Sequence, residues 1–449
     1  MISDWLRIAP RRIRDRVEGR SRVQAVLGNI SWLSADRIVR LGVGLIVGLW
    51  VARYLGPGQY GALNFASAFV ALFGPLAVLG LDSVVIRDLA AQPDQERRTL
   101  GTAFILKLVG GVTSGILAIL VFALSRPEDT RLQWLVVIFS GGVLFQSMDV
   151  VDFWFQAQVR SKHVVLARNA SFLILAVARV IMILSHASLA AFAWATLAEL
   201  ALCALGLLII YTNAGRSVLS WIPQMKRARE VLRDSWPLFL AGISIALYMR
   251  LDQVMIGYLL NESSVGIYSV AIRLVEIWYF LPTAIAASVL PGLIQVRSEN
   301  EQLYKTRLQT VYDVMGALSL VLAAGISLLS GLIIGILYGQ AYAAAAPVLS
   351  IYAWGTVPVF LGVASSQHFL VENRNRVSLF RTFVGLVINV ILNLILIPVW
   401  GPAGAAFASL VSQCAVVVSI WFVPGAREQV TMIFRALNPF RLAQVIFRS

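Results

Sequence analysis

Cysteine occurs twice in 449 residues and histidine three times. Cys203 and Cys414 both fall in apolar stretches, and two such cysteines make neither a disulfide framework nor a thiol site. His163, His186 and His368 are far apart and have no ligand spacing around them, so they read as polar helix-end residues. Charge is scarce as well. Asp, Glu, Lys and Arg make up 13% of the chain, against about 25% in a soluble domain. There is no Gly-rich Walker-type loop, which removes the usual basis for ATP hydrolysis. What is abundant is apolar: 59% of residues are hydrophobic and mean hydropathy is +0.79. Such a chain is an integral membrane protein with little mass outside the bilayer.

Spans of about 20 mainly apolar residues are predicted near 28–54, 59–85, 99–124, 132–156, 164–185, 187–212, 235–260, 265–290, 308–337, 344–370, 377–400 and 402–424. The fold class is therefore an all-α integral membrane protein with about 12 transmembrane helices. The expected organisation has five parts. Residues 1–27 form a cytoplasmic amphipathic segment and 28–212 a six-helix lobe. Residues 213–234 form a cytoplasmic linker, 235–424 a second six-helix lobe and 425–449 a cytoplasmic amphipathic tail. The first segment carries seven arginines interleaved with Trp5, Leu6, Ile8, Ile13 and Val17. That pattern suits a helix lying on the inner leaflet. No cleavable signal peptide is read in it. Pro75, Pro282, Pro291 and Pro358 fall inside spans and can kink them.

The 37 Lys and Arg are sorted by side. Alternate loops and the two tails hold 28, while the other loops hold only Arg126 and Arg131. Basic loops stay cytoplasmic, so both termini are expected inside. The net charge of +14 follows from this bias and from contact with anionic lipid head groups. Nucleic acid is not an expected partner. The remaining seven cations lie within apolar helices: Arg37, Arg40, Arg53, Lys107, Arg179, Arg250 and Arg273. Charges at that depth are costly and mark a route for something polar.

The chain also repeats. Val51–Ala66 aligns with Ile256–Ala271 at an offset of 205 residues, placing Gly61 on Gly266 and Ala66 on Ala271. Phe155–Arg160 likewise aligns with Phe369–Arg374. Both halves start facing the same way, so the repeat is parallel, a common transporter design.

The run from Asp36 through ARYLGPGQYG and FASAFVALFGPLAVLGLDSVVIRDLA resembles the opening of the Wzx-type polysaccharide flippases. These are the polysaccharide transporter family of the MOP superfamily, which includes the MurJ lipid flippases and the MATE exporters. The elements that carry the resemblance are Arg53, Leu55, Gly56, Tyr60, Gly61, Gly80, Leu81 and Arg87. The resemblance implies a V-shaped pair of six-helix lobes in the bacterial inner membrane. It implies transfer of an undecaprenyl-pyrophosphate-linked oligosaccharide, for O-antigen or another surface polysaccharide, to the outer leaflet. Implied partners are that glycan lipid, membrane lipids, and the polymerase and chain-length machinery of the pathway. No cofactor is implied, and coupling to a H+ or Na+ gradient is compatible.

A pyrophosphate head needs cations, and the Arg guanidinium offers a planar fork of donors. Asp36 and Arg40 share a helix face that continues as Gly44 and Gly48. At 1.5 Å per residue, Arg179 and Arg250 lie about 22 Å along their helices, near the midplane. Each cation also has a blander reading. Arg40 can pair with Asp36, Arg273 can pair with Glu276, Arg53 can anchor at the interface, and Lys107 can snorkel. Arg179 and Arg250 have no acid correctly spaced on their own helices. The acids Asp36, Asp82, Asp149, Asp152, Asp252 and Glu276 can bind a coupling ion, but neutralising an arginine on a neighbouring helix is the favoured role. A MATE-like, ion-coupled exporter of small molecules is the alternative to a flippase. The surplus of buried arginine speaks against cationic cargo. With no large loop and no catalytic constellation, an enzyme is not expected.

Overall fold

The computed structural model describes residues 21–372, 374–423 and 426–438, with side chains from Arg40 onward except at 298, 375 and 376. Segment 1–20, the tail beyond 438, and the side chains of Asp36 and Arg37 lie outside the described residues. Every regular element described is helical: α1 (Ser21–Val78), α2 (Asp82–Ala91), α3 (Glu96–Ser125), α4 (Thr130–Phe145), α5 (Asp149–Ala157), α6 (Lys162–Leu184), α7 (Leu189–Asn213), α8 (Met225–Leu259), α9 (Glu262–Glu276), α10 (Phe280–Glu299), α11 (Glu301–Leu328), α12 (Ser330–Leu337), α13 (Ala345–Ala353), α14 (Thr356–Val371), α15 (Asn375–Trp400), α16 (Pro402–Val418) and α17 (Arg427–Ala436).

Among the described residues, eleven stretches are long and apolar enough to cross a membrane. The first, Arg40–Ala91, is 52 residues long, more than twice what one crossing needs. It turns at Gly56, whose φ of 69° and ψ of 172° interrupt the helix. This stretch therefore supplies two crossings, which gives the twelve expected. The protein is a multi-pass helical membrane protein.

Among the spans that break partway, four stand in equivalent places. Span 2 breaks between Val78 and Asp82, span 4 at the 3-10 turn Gln146–Met148, span 8 at Ile277–Tyr279, and span 10 between Ala353 and Thr356. These are the second and fourth spans of each half, so the repeat is visible in where the helices fail. Pro282 and Pro358 stand at the third position of α10 and α14. A proline in the first turn loses no helical hydrogen bond, because that N–H would be unpaired anyway. Two of the prolines expected to kink spans thus mark restarts.

Contacts divide the chain into two compact units. One comprises residues 1–51 and 73–242, the other 52–72 and 243–449. These limits differ from the lobes expected at 28–212 and 235–424. The segment expected as a free linker packs on the first unit. Ile222 N donates to Arg97 O at 3.1 Å, Gln224 N donates to Thr102 Oγ1 at 3.1 Å, and Arg227 pairs with Asp88 at 2.7 Å. Trp221 and Val231 join the apolar cluster formed by Leu81, Val85, Leu100, Val150 and Trp154.

The second unit gathers its core from α10, α11, α14 and α17. Residues 425–449 were expected to form a cytoplasmic amphipathic tail. In its described part, one apolar face packs on protein. Val430, Ile433 and Ala436 of α17 are buried among Tyr304, Leu308, Tyr312 and Met315, so the apolar face of this helix is spent on protein. Gln429 supports the docking, since its Oε1 accepts from Tyr312 at 2.8 Å and from Ser365 at 2.9 Å.

The repeat has a physical counterpart inside this unit. A Cβ on Gly61 would lie 1.7 Å from Glu262 O, and one on Gly266 would lie 2.1 Å from Pro57 O. The offset that pairs Gly61 with Gly266 also pairs Pro57 with Glu262. Each repeat thus touches its counterpart through equivalent positions, the reciprocal contact of a local two-fold. Only glycine lets the backbones approach this closely.

Candidate functional site

In the first unit, the two helix restarts place carboxylates. Asp82 opens α2 and Asp149 opens α5. A helix N-terminus carries partial positive charge, which favours an acid there. Between them lies Lys107 of α3, only 2% exposed. Its Nζ is 3.9 Å from Asp82 Oδ1 and 3.8 Å from Asp149 Oδ2, beyond hydrogen-bond reach. The ammonium also sits 4.9 Å from the centre of the Phe153 ring. Arg168 of α6 completes the group: its Nη2 lies 3.1 Å from Asp149 Oδ1 and 2.9 Å from Asp152 Oδ2.

Arg40 of α1 lies 5.2 Å from the centre of the Phe172 ring. Gly44, one turn along, leaves room for that same ring. Arg179 donates to Glu199 of α7 at 2.8 Å. Its partner comes from the next helix, so it is not the isolated cation that its own helix suggests. A cavity of about 420 Å³ opens here, lined by Arg40, Gln146, Asp149, Arg168, Ser171 and Glu199 among others. Among the described residues, four cations (Arg40, Lys107, Arg168 and Arg179) stand here with four acids (Asp82, Asp149, Asp152 and Glu199).

The second unit handles charge differently. Asp252 of α8 is 7% exposed, and no Lys, Arg or His nitrogen among the described residues comes within ion-pair distance. Neutral groups surround it. Asn393 Nδ2 donates to Oδ1 at 2.6 Å, Tyr268 donates to Oδ2 at 2.7 Å, and Ser409 Oγ donates to Oδ2. Asn393 also donates to Asn389 Oδ1 at 3.0 Å, while its own Oδ1 is buried without a partner. Asn389 and Asn393 are 1% and 0% exposed.

Two residues before Asp252 stands Arg250, half-buried. It makes no hydrogen bond or ion pair among the described residues, though Glu276, the last residue of α9, lies within its Coulomb range. Arg273 donates to Tyr60 at 3.4 Å, and Arg53 donates to the Ile336 carbonyl at 2.8 Å. The seven cations singled out by sequence are shared between the two units. Arg40, Lys107 and Arg179 belong to the first unit and Arg53, Arg250 and Arg273 to the second, while the Arg37 side chain is outside the described residues.

Residues 50–347 match the family described as "Polysaccharide biosynthesis protein". The chain belongs to this family. A curated relative in this polysaccharide biosynthesis setting is a probable low-salt glycan biosynthesis flippase of Haloferax volcanii. It is 30% identical over 194 residues, 42% of this chain and 40% of the relative, so the match spans about two fifths of that protein. Two solved structures share the fold. An inward-facing multidrug-resistance MATE family transporter of the MOP superfamily is 18% identical, with a TM-score of 0.72 over 91% of this chain and 99% of that one. The lipid II flippase MurJ, in an inward closed conformation, is 15% identical, with a TM-score of 0.71 over 94% and 93%. The resemblance to the flippases of the MOP superfamily, carried by the motif around Arg53 to Arg87, agrees with these findings.

This family member also holds two inward-facing cations, one half-buried and one buried, that its sequence concealed. Arg168 and Arg381 fall in the first two turns of their spans, where a basic residue reads as part of the cytoplasmic end. Both are drawn inward. Arg381 is 2% exposed, donates through Nε to Val416 O at 3.0 Å and through Nη1 to Ser365 at 3.0 Å, and lies over the Phe369 ring. It meets the last carbonyls of α16, where a helix end favours a cation. Asn389 and Asn393, one turn apart on α15, were readable as a polar face in an apolar span.

Proposed function

We propose that this protein is a flippase. It moves an undecaprenyl-pyrophosphate-linked oligosaccharide across the cytoplasmic membrane by alternating access, with both termini inside, and it feeds a surface-polysaccharide pathway. Arginine side chains hold the anionic head while the lipid tail stays in the bilayer.

The observation that carries this reading is Arg250. A guanidinium within a membrane span loses hydration and ordinarily gains a carboxylate or carbonyl in return. Among the described residues Arg250 makes no such bond, so its five donors are available to phosphate oxygens. Family membership and the curated flippase relative support the same direction.

The driving ion is proposed to bind at Asp252. A buried carboxylate without a cationic partner requires a proton or a small cation. Its neighbours offer oxygen atoms from Asn389, Asn393, Ser409 and Tyr268. Such a hard oxygen set suits H+ or Na+ rather than a transition metal.

The test is reconstitution in liposomes carrying a fluorescent lipid-linked oligosaccharide, quenched by an impermeant reagent. The expected result is protein-dependent movement of the label between leaflets, faster with a H+ or Na+ gradient. Movement of small organic cations with no movement of the lipid would instead establish the exporter reading.

A further inference from the structure

We propose that the stripe Lys226, Arg229 and Arg233 at the start of α8 binds the head groups of anionic phospholipids and so docks the linker on the membrane surface. The inference takes the cytoplasmic side from the topology above and nothing from the identity of the cargo.

The stripe follows from helix geometry. Lys226, Arg229 and Arg233 are spaced three and four residues apart, so they share one face of α8. The opposite face is spent on protein, where Ala228, Val231 and Ser235 are buried. The three cations are exposed, and together with Met225 and Glu230 they line a shallow hollow of about 400 Å³.

The acids nearby are already engaged. Asp234 accepts from Arg87 at 2.8 Å. Asp88 pairs with Arg87 at 2.9 Å and with Arg227 at 2.7 Å, and Glu230 pairs with Arg227 at 3.1 Å. Lys226 and Arg229 make no hydrogen bond or ion pair among the described residues, and Arg233 reaches Asp234 at 4.0 Å. Arg87 and Arg227 thus use up the local carboxylates, and the outer stripe keeps its charge for a partner.

The residues beside the stripe say what that partner is. Residues 235–249 carry no Asp, Glu, Lys or Arg, so α8 enters the bilayer just past Arg233. Trp236 and Leu240, three and seven residues beyond Arg233, extend the same stripe and are exposed. A tryptophan there stands at the level of the head groups. On the other side of the cations, Leu219, Ile222 and Met225 are 94%, 51% and 73% exposed. Cations flanked by protruding apolar side chains form a membrane-surface segment, in which the apolar groups enter between lipids and the cations meet phosphates. A free phosphate would use the cations and leave those apolar side chains in water. Phosphatidylcholine would cover the apolar groups, but its choline cancels the charge that the stripe requires. An anionic phospholipid satisfies both.

The test is photo-crosslinking of the full-length protein in nanodiscs of phosphatidylcholine. The probe is a trace of photoactivatable phosphatidylglycerol, the control is photoactivatable phosphatidylcholine, and labelled peptides are located by mass spectrometry. Nanodiscs present both leaflets alike, so the result does not depend on orientation. Within residues 218–240 the anionic probe should label at least about tenfold more than the control, and the excess should shrink as salt rises. Lys226→Gln combined with Arg229→Gln and Arg233→Gln should bring the two probes level. Lys226→Arg combined with Arg229→Lys and Arg233→Lys should keep the excess. Equal labelling by the two probes in the wild type overturns the inference, and is the outcome if a protein partner covers this face instead. An excess that survives the triple Gln variant overturns it as well. Loss of the label in excess inorganic phosphate would make this a free-phosphate site and overturns the lipid assignment. The wild-type comparison needs no substitution, so the test holds even where a variant does not fold. None of these outcomes bears on the flippase reading.

Discussion

The two units solve one problem in opposite ways. In the first, a carboxylate near the middle of a span is answered by charge: Asp149 and Asp152 meet Arg168, and Glu199 meets Arg179. In the second, Asp252 is answered by neutral donors from Asn393, Tyr268 and Ser409, and Arg250 makes no hydrogen bond or ion pair among the described residues, with only Glu276 in Coulomb range. Paired charges are mutually satisfied and are disturbed only by a competitor of like charge. A carboxylate held by neutral donors keeps its demand for a proton or cation, and an unbonded guanidinium keeps its demand for an anion. The first unit thus has the chemistry of exchange, and the second has open capacity for an ion and a phosphate.

The largest expected effect that separates the two is on transport. Arg250→Ala should lower lipid movement in liposomes by about 10- to 100-fold, the weight of one or two charged hydrogen bonds to phosphate. Thermal stability should fall less than in Arg168→Met, because Arg250 gives up no hydrogen bond or ion pair among the described residues and loses only its longer-range attraction to Glu276. Arg168→Met should behave in the reverse manner. It leaves Asp152 buried without its counter-charge and should destabilise the first unit by about 3–5 kcal/mol, read as a lower unfolding temperature. If Arg250→Ala unfolds the protein and Arg168→Met does not, the contrast fails.

Smaller effects sharpen the contrast. Gly61→Leu or Gly266→Leu forces a side chain into Glu262 O or Pro57 O. Each should lower stability by about 1–3 kcal/mol or more through overpacking, and the two should not add, since they disturb one contact. Equal and additive losses would argue against the reciprocal crossing. Asp252→Asn should abolish the response to an ion gradient while leaving gradient-free movement within about threefold, because neutral donors tolerate an amide where paired cations would not. Retention of gradient coupling in that variant would remove Asp252 as the ion site.

Span positions, the repeat and the family resemblance were legible because they depend on composition along the chain. The break in span 2 and the one in span 10 lie near Pro75 and Pro358, residues readable as kinks. Partners across helices were not legible. Arg179 has no acid on its own face, and nothing in its local sequence points to Glu199 on α7. Arg168 and Arg381 look like ordinary basic residues at span ends, where a long side chain can reach water. Only packing turns them inward. The docking of α17 was hidden for a related reason. Its sequence is amphipathic, and an apolar stripe does not say whether lipid or protein will cover it.

The central claim is that an unbonded arginine holds a phosphate during passage, and a charge-retaining series at one position tests it most directly. Leaflet-to-leaflet movement of a fluorescent lipid-linked oligosaccharide is to be measured for wild type, Arg250→Lys and Arg250→Ala, each confirmed folded in the same liposomes. The account predicts that wild type is fastest, Lys is intermediate because it is a point charge without the planar fork, and Ala is near background. Wild-type rates in Arg250→Ala would contradict it.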